Sequence, residues 1–363
     1  MKSRILGIGV AVPECRVTQD EATRAATLLS ATTPEQASRL AALYRQTQIE
    51  TRYIVQGDPR LCGALQACRE NDASFRATGS IPTTGERMAV YAREALPLAL
   101  EASRNALANA GLPPQAITHL VTVSCTGFAS PGVDIGLMKA LSLPATVERT
   151  HVGFMGCHGT FNGLRVARTL VEADRRARVL LCAVELCSQH YCYPWHDERM
   201  VANALFADGA GAMVLGPSET AADNWRALAS GSVVIPESEA AMSWTIGDQG
   251  FEMTLSREVP ILIERHLKPW LEAWLVRHDL RRSDIGSWAI HPGGPRILTS
   301  VECALDLPPN AVATSRNVLR AFGNMSSATI VFILDRLRQD NAPRPCVGLA
   351  FGPGLTVEAF LFA

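Results

Sequence analysis

The feature that most constrains this 363-residue chain is that its second half repeats the order of its first. THLVTVSCTG reads as a strand running into a polar loop. It is followed by a helix opening at GFMGCHG, the strand RVLLCAVEL, and ALFADGAGAMVLG, a small-residue turn feeding another strand. In the second half SWAIHPGG is a strand ending in a loop, FGNMSSATIVFILDRLRQD a helix opening at a Gly-Asn turn, and PCVGLAFGPGLTVEAFLF strand, turn, strand. The spacings agree. Cys125 to Cys157 is 32 residues and His291 to Asn324 is 33, while Cys157 to Cys182 and Asn324 to Leu349 are both 25. A repeat of this kind fixes architecture before any single residue does. It predicts two helix-covered α/β units stacked around a pseudo-twofold axis, in which equivalent loops and helix starts face each other. Ligand sites in such sheets lie at the carboxyl ends of strands, so the duplication alone brings Cys157, His291, Asn324 and Cys125 to one place.

Two long helical patterns flank these repeats. AVYAREALPLALEASRNALANAG ends at Gly111, a C-cap, and EVPILIERHLKPWLEAWLVRHDL continues past Pro269. RILGIGVAVPE reads as a first strand and not a signal peptide, and no window approaches the ~18 apolar residues of a membrane span. With 34 basic and 35 acidic residues, nothing advertises a nucleic-acid partner. Ten cysteines in 363 residues, with no export signal, are expected to be reduced thiols in a cytoplasm. No C-x-x-C occurs near Cys182, Cys187 and Cys192, and no GxGxxG or P-loop follows a strand, so no metal, NAD or flavin is expected.

Cys157 lies where a glycine-flanked turn becomes a helix. Unpaired N–H groups there favour thiolate over thiol, which is one way to make a nucleophile; the alternative is a small core residue. His291 alone reads equally as a satisfied core histidine, and Asn324 alone as a helix N-cap. Together, in matching repeat positions, a thiol, an imidazole and a carboxamide are the parts of acyl transfer followed by carbanion chemistry. The imidazole activates the thiol toward a thioester, and Asn and His donate to the enolate oxygen left when a carboxyl departs as CO2.

The stretches GFMGCHG, CAVELCS, ALFADGAGAMVLG, WAIHPGG, FGNMSSATIVFILD and AFGPGLTVE resemble the type III polyketide synthases, the chalcone-synthase-like group of the thiolase superfamily, in the bacterial-type form. The resemblance runs from about residue 85 to the end, with the N-terminal strand fitting as well. It implies a thiolase-like fold of duplicated αβαβα halves in five layers, one over 1–220 with the nucleophile and one over 221–363 with the histidine and asparagine. It implies an acyltransferase that loads a starter from an acyl-CoA on Cys157, extends it with malonyl-CoA by decarboxylative Claisen condensation, and cyclises the chain to a pyrone, resorcinol or related aromatic polyketide. No cofactor is implied beyond the coenzyme A thioesters used as substrates, and the family resemblance implies a homodimer.

By the same resemblance Cys157, His291 and Asn324 are catalytic and Phe206 gates the substrate tunnel. Ser326, Gly352 and Pro353 line the cavity. Met253 stands where plant members have a second gating phenylalanine. Cys187 and His190 stand where the family has pocket-lining threonines. Cys125, in the short loop SCTGFASPG, resembles a pocket thiol of some bacterial members; a buried strand-end cysteine is the other reading. His158 is unusual beside the nucleophile, and its side chain is expected to point away. For coenzyme A phosphates only Arg45 and Arg52 offer themselves near QTQIETRYIVQ. The nearest rival is a β-ketoacyl-acyl-carrier-protein synthase III, whose histidine motif runs H-Q-A-N instead of HPGG. A thiolase proper wants a second cysteine where FGPG has Gly352 and Gly354, and a non-catalytic partner subunit requires loss of the triad.

Overall fold

The computed structural model describes residues 3–217 and 225–363, Ala73 excepted, so the boundary expected at 220/221 lies outside the described residues. Two sheets carry the fold. The first orders its strands Ser3–Ala11, Asp208–Pro217, Val179–Leu186, His119–Ser124, Glu148–Gly153; the second orders Ala227–Val234, Thr356–Phe362, Cys346–Gly352, Ser287–Ile290. In each, two antiparallel pairings are followed by a parallel one. The duplication is therefore real at the level of strand order and polarity. It is incomplete at one edge: among the described residues the second sheet has no counterpart of strand Glu148–Gly153.

Strand period builds the layers. In the fully buried Val179–Leu186, residues Val179, Leu181 and Ala183 face the central core. Their alternates Leu180, Cys182, Val184 and Leu186 face the outer helix Thr84–Ala110. Cys346 and Ala350 likewise face the central core, and Val347, Leu349 and Phe351 the outer one that includes helices Val259–Val276 and Pro295–Leu305. Between the sheets lie the helices Gly159–Ala173 and Thr329–Gln339, contributing Phe161, Leu164, Ile330 and Ile333. The result is helix, sheet, helix, sheet, helix. Helix Thr84–Ala110 begins at a Thr83/Glu86 capping box and ends, at the C-cap its sequence predicts, with Gly111 at φ 63°.

Each central helix is preceded by a 3-10 turn, Gly156–His158 after strand Glu148–Gly153 and Ser326–Ala328 after helix Ala313–Phe322. The two turns contact each other. Outside the duplicated core, helices Gln19–Ser30, Pro34–Gln46 and Pro59–Glu70 pack over this end with the segment Asp197–Leu205, a helix, and form smaller apolar clusters of their own.

Candidate active site

Cys157 sits in its turn with 6% of its surface exposed, at one wall of a cavity that Cys125, Cys187, His190, Phe206, Met253, Ser326 and Pro353 also line. Of the expected wall residues only Gly352 does not line it: its Cα is covered by the His158 ring. Ser326 Oγ donates to Cys157 Sγ at 3.7 Å and stands 3.2 Å from Cys125 Sγ, so the two thiols share one hydroxyl. Ser326 is held with φ 47°, a conformation unfavourable for a residue with a Cβ. The Asn324 side chain fixes it there, its Oδ1 accepting from the Ser326 amide at 2.9 Å.

That contact orients the carboxamide. With Oδ1 spent on the turn, Nδ2 is the donor end; it lies 3.4 Å from the Gly293 carbonyl, and the side chain draws the Cys157 thiol's pKa down against burial. The cap reading and the catalytic reading of Asn324 thus use opposite ends of one amide. His291 continues from strand Ser287–Ile290, its amide donating to the Leu349 carbonyl at 2.8 Å, and only 1% of it is exposed. Neither ring nitrogen has a hydrogen-bond partner among the described residues, Cys157 included. Buried side-chain nitrogens are rarely left so, and a catalytic role is one reason for such an exception.

Burial governs the titration here. It pushes the Cys157 thiol up to about 12, with the Ser326 and Asn324 hydrogen bonds opposing, and pushes His291 down to about 3. The expectation that the helix start alone would favour a thiolate is therefore not met in the resting protein, because desolvation outweighs the turn's partial charge.

Cys125 is backed by Glu185, a fully buried carboxylate that accepts from the Cys125 amide at 3.0 Å, its thiol at 3.3 Å, Thr126 Oγ1 at 2.7 Å and Ser327 Oγ. Burial raises the pKa of Glu185 and, together with that carboxylate, holds Cys125 well above its ordinary value. Cys125 is a neutral wall thiol. His190 is also committed: its Nε2 donates to the Thr126 carbonyl at 2.6 Å and its Nδ1 accepts from the Phe251 amide at 2.9 Å. The ring stacks on Phe251 at 4.2 Å and meets Trp244 edge-on at 5.3 Å, and burial brings its pKa down to about 3.

Sequence reasoning missed Trp244 and Phe251, which belong to the hairpin Met242–Gly247 and Gly250–Leu255 and sit in the cavity wall beside Met253. The alternation SWTIG-DQ-GFEMT signals such a hairpin. Glu185 was legible too, as the one charge in VLLCAVEL. Arg52 does not serve coenzyme A. It is buried, its guanidinium donating to the carbonyls of Asn203, Ala204 and Phe206 and to Gln19 Oε1, where it closes the end of helix Asp197–Leu205. Arg45 is exposed in the last turn of helix Pro34–Gln46.

A duplicated five-layer α/β fold with a thiol and a carboxamide at its central helix starts and an unpartnered imidazole at a strand end defines a condensing enzyme of the thiolase-like type. Residues 1–219 match the chalcone and stilbene synthase N-terminal domain, and residues 227–363 the C-terminal domain of the same family. The chain belongs to that family, the type III polyketide synthases, which are decarboxylating condensing acyltransferases. It is 34% identical to the alpha-pyrone synthesis polyketide synthase-like Pks18 of Mycobacterium tuberculosis, over 99% of this chain and 90% of that protein. It is 32% identical to type III polyketide synthase 10 of rice, over 99% and 92%. It is 30% identical to probable polyketide synthase 1 of Dictyostelium discoideum over 98% of this chain, spanning 11% of that longer protein. The crystal structure of the C-terminal type III domain of Steely1, a Dictyostelium type I/III hybrid, superposes with a TM-score of 0.90 at 29% identity, covering 100% of this chain and 99% of that one. PKS-I from the brown alga Ectocarpus siliculosus superposes at 0.89 and 29% identity, covering 99% and 98%.

Proposed function

We propose that Cys157 is the acyl carrier, His291 its proton partner, and Asn324 with His291 the donors that stabilise the malonyl-derived enolate. The observation that carries this reading is the split use of the Asn324 amide beside an imidazole with two unpartnered nitrogens. Cys157 Sγ attacks the starter thioester, its proton passes to His291, and coenzyme A leaves as the thiol. Malonyl-CoA then loses CO2, and its thioester oxygen takes the enolate charge against Asn324 Nδ2 and His291. The carbanion attacks the acyl-Cys157 carbonyl and expels the Cys157 thiolate. No electrons enter or leave. Each preorganised donor is worth on the order of 10²–10³ in rate.

The cavity that Cys157 and Phe206 line is also walled by Val17, Ala22, Ala25, Ile54, Leu61 and Leu65, from helices Gln19–Ser30 and Pro59–Glu70 and the paired strands Cys15–Thr18 and Thr51–Ile54. Tyr191 and Tyr193 of the same apolar cluster and Arg52, paired with Val17, also line the cavity, and a lining this rich in hydrocarbon suits the apolar tail of an acyl starter. The name of the mycobacterial relative favours an α-pyrone as product. Incubating the protein with malonyl-CoA and acyl-CoAs of increasing chain length, and following CO2 and pyrone products, tests this reading. Products only from short polar starters would contradict it.

We further propose a cytoplasmic homodimer. Strand Glu148–Gly153 is a sheet edge exposed along most of its length, and Phe128, Phe154 and Met155 beside it are 52%, 38% and 39% exposed. An open edge rimmed by apolar groups calls for a covering partner, and a second copy closes it with twofold symmetry. No described helix is long and apolar enough to cross a membrane. Light scattering that gives one 39.1 kDa protomer at micromolar concentration would contradict the dimer.

A further inference from the structure

We infer that His158 is a positioning residue, the member of a two-way interlock that clamps the nucleophile turn of the first half onto the Gly352–Pro353 turn of the second. Cys157 is flanked by the two contact points. On its N-terminal side Gly156 (φ 73°) receives Pro353, whose Cδ lies 2.5 Å from where a Cβ would stand. On its C-terminal side the relation reverses: His158 presses onto Gly352, with ring Cδ2 2.4 Å and Nε2 2.9 Å from a Cβ position there. Each turn supplies one knob and one glycine hole. A turn pinned on both sides of the thiol cannot rotate it away from the cavity without unseating both contacts.

The ring itself is braced. His158 Nδ1 is 2.7 Å from Asn162 Oδ1, and Asn162 Nδ2 donates to Glu358 Oε1 at 3.1 Å, which leaves Oδ1 as acceptor and assigns the hydrogen to His158 Nδ1. Glu358 is pinned in turn by Arg165 and by Ser232 Oγ at 2.9 Å. It lies on strand Thr356–Phe362, which leaves the same Gly352–Pro353 turn. The brace therefore runs from the nucleophile's helix to the strand beyond the opposing turn and closes a loop around Cys157. Burial lowers the basicity of His158, and a proton on it would oppose one on His291, so a neutral, braced ring also leaves His291 free to take its proton.

This inference rests on Cys157 being the nucleophile. The test is steady-state condensation of an acyl-CoA with malonyl-CoA by His158→Ala, His158→Asn and Asn162→Leu, with Cys157→Ala as control and melting temperatures recorded for all. A nucleophile displaced by about 1 Å loses roughly 10²-fold in turnover, so His158→Ala should lose kcat on that scale while KM for the starter holds. His158→Asn keeps a donor for Asn162 and should recover part of the loss. Asn162→Leu, which leaves the ring and removes its brace, should also lower kcat at constant KM and answers the question if His158→Ala fails to fold. Unchanged kcat in the folded variants overturns the inference. So does a loss in which kcat, KM and melting temperature fall together, with asparagine no better than alanine. If Cys157→Ala itself still condenses, it is the nucleophile assignment that fails.

Discussion

Asn324 and Phe206 are locked backbone to backbone. The Asn324 amide donates to the Leu205 carbonyl and its carbonyl accepts from the Ala207 amide, both at 2.9 Å, forming an isolated parallel bridge around Phe206. The carboxamide that reaches Cys157 comes from the second half of the duplication, and the phenylalanine in the cavity wall from the first. Their separation is set by main-chain hydrogen bonds instead of side-chain packing. Asn324 and Phe206 are one rigid unit.

Asn324→Ala separates the two uses of that amide. Losing Nδ2 should cost on the order of 10²–10³ in malonyl-CoA decarboxylation, with starter loading on Cys157 retained. Losing Oδ1 frees the Ser326 turn and should lower stability by about 1 kcal/mol. Release of labelled CO2 and a melting curve measure the two. A variant that decarboxylates normally and only melts earlier makes Asn324 a cap and nothing more.

Burial disfavours a thiolate at Cys157 and an imidazolium at His291 separately. Moving the thiol proton to His291 makes both charges at once, and their attraction offsets part of that desolvation. His291→Gln removes the acceptor, so alkylation of Cys157 by iodoacetamide should need higher pH. At neutral pH it should slow by at least about tenfold, the equivalent of one pKa unit. Superimposable rate–pH curves for the two proteins would contradict the pairing.

His190 gives a stability prediction with a definite sign. Its folded pKa is depressed from 6.5 to about 3, so between those values the unfolded chain binds the proton and the folded one does not. Stability contributed by the neutral ring is present above about pH 6.5 and declines as pH falls toward 3, by about 1.4 kcal/mol per unit. His190→Asn should be less stable at pH 7 yet show a shallower loss on acidification. Parallel curves from urea melts at pH 7, 6 and 5 would show that His190 does not carry this dependence.

Ala22→Phe adds bulk to the hydrocarbon-rich lining of the cavity and leaves Cys157, His291 and Asn324 untouched. For long-chain starters kcat/KM should fall about tenfold or more, the scale on which a pocket rejects added volume, while short starters are used as before. A uniform change across chain lengths would place the tail elsewhere.

Much of this was legible in the sequence, for physical reasons. Cys157, His291 and Asn324 stand at strand ends and helix starts, and the duplication alone carries those to one end of the sheets. That Phe206, Cys125, Cys187 and Met253 line the cavity follows from the family's motifs. That among the described residues the second sheet has no fifth strand was not legible, because the stretch between His291 and Asn324 keeps the repeat's length while replacing strand with helix. Nor was the direction of Gly352, which depends on a ring 194 positions earlier in the chain covering it. Arg52 misled because an arginine near a polar loop reads as a phosphate ligand. Only tertiary packing reveals the helix end whose carbonyls it satisfies. The charge state of Cys157 depends on burial, which local helix-start electrostatics does not report.

The most direct measurement is peptide mass spectrometry of the intact protein after incubation with a starter acyl-CoA and no malonyl-CoA. The peptide containing Cys157 should gain the mass of the acyl group, hydroxylamine should remove it, and Cys157→Ala should gain nothing and form no product. Acylation of any other cysteine in place of Cys157, or condensation by Cys157→Ala, would contradict the account at its centre.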